Sequence, residues 1–180
     1  MSTDDQFVAA IRETFLAQRK LAERAFAQID DDAFRAPLDA NTNSVALIMK
    51  HVGGSLRSRF TEFLTTDGEK RERKRDGEFI DDFAPGAHGR AQAIAGWDAG
   101  FEALLAALDA LTPEDLARTV TIRGEPHSVP LALARALGHI SYHVGQIVMT
   151  SRVRAGDRWS TLTIERGGSN AFNKRVGHDT

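Results

Sequence analysis

Four stretches of this chain repeat their apolar residues at three- and four-residue steps, the spacing that lines side chains along one face of an α-helix. Phe7, Ile11, Phe15, Leu16, Leu21, Ala22, Ala25 and Phe26 trace the first stretch and predict a helix over residues 4–28. Val45, Ile48, Met49, Val52, Leu56, Phe60 and Phe63 predict a second over residues 44–65, with candidate caps among Asn41 to Ser44 and a turn at Asp67-Gly68. Ile94, Trp97, Phe101, Leu104, Leu105 and Leu108 define a third over residues 90–111, stopped by Thr112-Pro113. Leu131, Leu133, Leu137, Ile140, Val144, Ile147 and Val148 define a fourth over residues 128–154, with Ser128 as cap and Pro130 in its first turn.

The segments between these runs read as connections. Asp30 to Asp32 and Pro37 interrupt the helical pattern. Residues 69–89 hold a charge run from Lys70 to Arg75, three glycines and Pro85, and predict a long irregular crossover of the kind that carries function. The charge run itself reads as solvated. From Thr119 to Pro126, β-branched and polar residues alternate before a turn, which predicts a short extended pair across the end of the helices. The tail over residues 156–180 is expected to pack back without regular structure. The fold class is therefore all-α: one domain over residues 1–180, a four-helix bundle of the up-down-down-up type with a long crossover and an irregular C-terminal tail.

Composition narrows the function. The apolar share of 42% against 27% charged residues supports a packed core. A net charge of -2 lacks the basic excess of nucleic-acid binders, so nucleic acid is not an expected partner. No stretch reaches the roughly 20 apolar residues of a membrane span, and the protein is expected to be cytoplasmic. The chain has no cysteine, so any metal must be held by histidine and oxygen ligands.

His139 and His143 stand four apart, one above the other on a single helical face at the edge of the apolar stripe. His51 occupies the corresponding position beside the stripe of the second helix, where it can meet them across the bundle. Three imidazoles would leave a coordination position open, as catalytic zinc sites do. The metalloprotease motif is absent, because Ile140 rather than glutamate follows His139. A pair at this spacing also arises by chance, so the residues alone read either as metal ligands or as a hydrogen-bonded polar core. Gln146, one turn beyond His143, can bond a metal-bound water or a ligating imidazole, or lie exposed. Tyr142 can face the site or pack, and Arg166, Asn170 and Lys174 can close over a pocket mouth. Gly53-Gly54 falls inside a helical pattern and reads as close helix packing, not as a phosphate loop.

His51 together with His139-Ile-Ser-Tyr-His143 resembles the DinB-like superfamily of four-helix bundles, which places one histidine in the second helix and an HxxxH pair in the fourth. Asn43 to His51, Ser58 to Lys70, Arg75 to Phe79 and Thr161 to Asn173 resemble an uncharacterised branch of it, and the resemblance spans nearly the whole chain. It implies a site in which His51, His139 and His143 hold a divalent metal ion, zinc or nickel, and a metal-dependent transferase that uses a low-molecular-weight thiol on a small-molecule substrate. A metal-dependent hydrolase and a non-catalytic metal-binding or stress-associated bundle stand as alternatives, and a homodimer is expected. The branch favours asparagine after the helix-two glycine, where this chain has Gly54, so one polar pocket group is missing.

Overall fold

The computed structural model describes residues 2–178. The chain is mostly helical, with α1 Thr3–Phe26, α2 Asp31–Arg35, α3 Val45–Phe60, α4 Gly86–Ala110, α5 Val129–Ala155 and α6 Ser169–Arg175, plus a hairpin of β1 Thr119–Ile122 and β2 Glu125–Ser128. Among the described residues, no helix is long and apolar enough to cross a membrane.

The four predicted helices form, with ends displaced for identifiable reasons. Ser44 caps α3 by accepting from the Leu47 N–H, and Ser128 caps α5 by accepting from the Leu131 N–H. α3 stops at Phe60, short of residue 65, because the threonines that follow turn their hydroxyls onto the chain. Thr61 donates to the Arg57 carbonyl at 2.7 Å, and Thr65 and Thr66 donate to Glu62. A turn with Glu62 at φ 50° still delivers Phe63 to the core, which is why the apolar pattern runs past the helix. α4 starts at Gly86, earlier than residue 90, since Pro85 has the extended backbone of an N-cap and the glycines fall in the first turn.

Two short helices correct the sequence reading. The aspartates read as a break instead cap α2, where Asp30 accepts from the Ala33 N–H at 2.9 Å and Phe34 is fully buried. The guanidinium of Arg90 lies 4.7 Å over the Phe34 ring and donates to the Phe26 and Ile29 carbonyls at the end of α1. In the tail, α6 is regular helix but buries none of its residues.

The buried residues form one cluster, and Trp97, Phe15, Phe34, Phe101, Met49 and Leu104 are its largest fully buried side chains. α3 packs most extensively on α4, α1 on α5, and α3 also meets α5. The α3–α4 contact is backbone on backbone. A Cβ added at Gly53 would lie 2.3 Å from the Gly96 carbonyl oxygen, and one added at Gly100 would lie 2.7 Å from the Gly53 Cα.

The hairpin forms as expected and sits against the crossover after α3. Its turn places Arg123 at φ 57° and Gly124 at φ 76°, the two left-handed residues of a type I′ connection. Asp67 holds that turn: its carboxylate accepts from the backbone N–H of Arg123 at 2.9 Å, of Gly124 at 2.8 Å and of Glu69 at 2.7 Å. Burial acts to raise its pKa, but the three backbone donors outweigh it and hold the carboxyl at about 2.

Two outcomes follow from these contacts. Gly53→Ala forces two helix backbones apart and is expected to cost about 2–3 kcal/mol in urea unfolding; an unchanged midpoint would contradict the backbone contact. Asp67→Ala is expected to lower stability at pH 7 by about 1–2 kcal/mol. The folded pKa lies below the ordinary 3.8, so this contribution is complete above pH 3.8 and fades as pH falls toward 2. Unfolding curves of the two proteins should therefore converge through that window.

Candidate metal centre

α3 and α5 meet where α3 carries His51 and α5 carries His139 and His143. His51 is buried and the other two are half-buried. The Nε2 atom of His139 lies 3.1 Å from the Nε2 of His51 and 3.1 Å from the Nε2 of His143. The ligand atoms of the three residues all fall within 4.8 Å of one another, close enough to hold a metal ion, and among the described residues no carboxylate joins that cluster.

Two further contacts set which nitrogen of each ring carries the proton. His51 Nδ1 is 2.8 Å from Glu78 Oε2, and an ionised carboxylate only accepts, so Nδ1 carries the hydrogen and Nε2 presents its lone pair. His143 Nδ1 is 2.8 Å from Gln146 Oε1, which sets the same tautomer. Burial first, then the charges of His143 and His51 and the Arg59 and Arg73 guanidiniums, push the His139 pKa down to about 3. Burial also lowers that of His143, against the opposing hydrogen bond to Gln146. At neutral pH His139 and His143 are uncharged, the form that ligates metals.

The donor set fits a metal by its own geometry. Nitrogens held at about 2.0–2.1 Å around a tetrahedral zinc lie roughly 3.3 Å apart. Two of the N···N separations in the cluster are 3.1 Å. Lone pairs aimed together at that spacing repel unless a cation lies between them or His139 Nε2 carries the hydrogen of its neutral ring.

Glu78 was not foreseen as a site residue. It lies in the crossover, in a 3-10 turn Arg75–Phe79 that lays Phe79 over the His51 ring at 4.8 Å. Arg73 clamps it with two donors, Nε to Oε1 and Nη2 to Oε2, each at 2.8 Å. Burial alone would raise the Glu78 pKa; the bonds from His51 and Arg73 reverse that and lower it. The charge run read as solvated is thus corrected at Arg73, whose side chain is 7% exposed and also pairs with Glu69 at 3.1 Å.

Gly54 matters here as much as Gly53 does for α4. A Cβ at Gly54 would lie 2.2 Å from Glu78 Oε1. The space beside Gly54 is filled by this carboxylate from the crossover. Gln146 bonds an imidazole, that of His143, one of the roles open to it. Tyr142 is 66% exposed, its ring standing edge-on 5.1 Å from His143. Arg166, Asn170 and Lys174 stay exposed and line neither of the two cavities flanking α3.

The larger cavity, about 670 Å³, lies along the α4 side of α3 and includes none of the three histidines. The smaller, about 350 Å³, is lined by His51 and His139, and is the space into which a ligand at the cluster would extend. Nothing among curated proteins or solved structures matches the chain. The family model described as "Protein of unknown function (DUF1572)" matches residues 2–168, and the chain belongs to that family.

Proposed function

We propose that the protein is a metal-dependent enzyme of the DinB-like kind, in which His51, His139 and His143 hold one divalent ion, zinc or nickel, beside a small-molecule substrate pocket. The observation that carries this reading is the convergence of the three Nε2 atoms, with two of the opposite ring nitrogens tied to Glu78 and Gln146. Ligating histidines are characteristically oriented by such outer bonds. The pairing of α1 with α5 and α3 with α4, and the meeting of α3 with α5, supports a single four-helix bundle as its frame.

A divalent ion at this position supplies Lewis-acid chemistry, lowering the pKa of a thiol or a water bound beside it. Three protein ligands would keep a coordination position open toward the cavity that His51 and His139 line. Arg73 fixes Glu78, Glu78 fixes the His51 ring, and Gln146 fixes the His143 ring, so the ligand geometry is set before substrate arrives. The chain has no cysteine, so a thiol nucleophile would come as a low-molecular-weight thiol and the reaction would be an S-transfer. α5 also exposes Tyr142, Met149 and Val153 on one face, which suits the interface of a homodimer.

Protein purified without chelator is expected to carry about one equivalent of transition metal per chain by elemental analysis. His143→Ala should fall well below that, and Glu78→Gln should weaken metal affinity by about 10–100-fold. A wild-type content near zero after growth in metal-supplemented medium would sink the proposal. Light scattering at micromolar concentration should report a dimer that Val153→Lys converts to monomer; a wild-type monomer would refute the interface.

A further inference from the structure

The cavity of about 350 Å³ beside His51 and His139 is also lined by Arg59, Arg73, Arg75, Arg123 and Arg135, with Glu125 as its one carboxylate. These five cations come from four separate parts of the chain: α3, the crossover, the hairpin turn and α5. Arg73 is neutralised by Glu78 and Glu69, and Arg123 approaches Glu69 at 3.5 Å. Arg75 has only the fully exposed Asp76 at 3.9 Å. Among the described residues, no carboxylate lies within ion-pair distance of Arg59 or Arg135.

Arg59 is the most informative of the five. Its Nε is buried and has no hydrogen-bond partner. Burial and the charges of Arg135, Arg73 and Arg123 all oppose its charge, with Glu69 alone favouring it. A guanidinium does not lose its proton at accessible pH, so this repulsion persists in the free protein. Arg135 is anchored by donating to His127 Nε2, while His127 Nδ1 donates to the Glu125 carbonyl at 2.9 Å, so the hairpin holds this side chain at the cavity rim. Unsatisfied donors and uncompensated positive charge around one small cavity are complementary to an oxyanion, which guanidiniums grip in a planar fork.

We propose that this cavity is an oxyanion subsite, with Arg59 and Arg135 binding the carboxylate or phosphate of a small acidic substrate whose remaining part reaches the three histidines. The anion subsite stands on the arginines alone; its assignment to the substrate rests on the metal-centre reading above. Bound anion relieves the mutual repulsion of the arginines, so it stabilises the folded chain by mass action. No covalent step is involved.

The test is titration calorimetry and thermal unfolding of the full chain at low ionic strength, with inorganic phosphate in one arm and succinate in the other. At least one probe is expected to bind wild type and raise its melting midpoint, and the arm that responds identifies the anion. Arg59→Gln and Arg135→Gln should each weaken that binding by about tenfold. Arg135 is exposed, so its variant carries the test if Arg59→Gln fails to fold. His143→Ala should bind the anion as tightly as wild type stripped of metal by chelator. Failure of both probes to bind at millimolar concentration would overturn the subsite, as would equal binding to wild type and both glutamine variants. Binding lost in His143→Ala but kept in the arginine variants places the anion on a metal instead, overturning the subsite and leaving the metal reading intact. Anion binding by protein that holds no metal after metal supplementation supports the subsite and removes the metal reading.

Discussion

The contact between the backbones of α3 and α4 at Gly53 decides where every other face of α3 points. At about 100° per residue, His51 lies roughly 160° around the helix from Gly53, so a helix pressed against α4 on one side presents His51 toward the other. That other side is α5, with His139 and His143 four residues apart on the facing surface. Gly54, the next residue, faces the crossover and leaves the space that the Glu78 carboxylate fills. Two adjacent glycines therefore do different work. One removes a side chain so that a helix can approach, and the other removes one so that a charge can.

The charge so admitted is what makes the histidine cluster directional. A buried carboxylate is costly without partners, and Glu78 has three donors within 2.8 Å, two from Arg73 and one from His51. Because Arg73 already satisfies both oxygens, the bond to His51 is one contact of a fixed carboxylate, and it sets both tautomer and ring orientation. Gln146 performs the same role for His143 from within its own helix. His139 has two Nε2 neighbours and sits where burial and surrounding cations most strongly suppress protonation.

How much of this was legible follows the range of each interaction along the chain. The HxxxH pair and the long helices were readable because their determinants are local, set by periodicity and caps such as Ser44 and Ser128. α2 was missed because five residues are too few to show a period, and Asp30 looked like a breaker although it is a cap. α3 read too long because Phe63 keeps the apolar rhythm after the backbone has left the helix. Glu78 and Arg73 lay in a loop with no periodicity, and only the three-dimensional path of the crossover brings them to His51. Gly54 read as an absent polar group, since nothing local reports that a carboxylate 24 residues later takes its space.

The same dependence on long-range assembly explains why a net charge of -2 said nothing about the cationic cavity. Net charge is a sum over the surface, whereas the field in a cleft depends on which charges share it. Several helical arginines of this chain have carboxylates at hand, as Arg19 has Glu23 and Asp98 and Arg12 has Asp109. Around the cavity that balance fails: Glu69 and Glu78 are both committed to Arg73, leaving Arg59 and Arg135 without a carboxylate within ion-pair distance. Uncompensated guanidiniums give the pocket a positive field that a ligand must answer with its own negative charge. A metal ion at the histidines would strengthen that field, so metal and anion would each favour binding of the other.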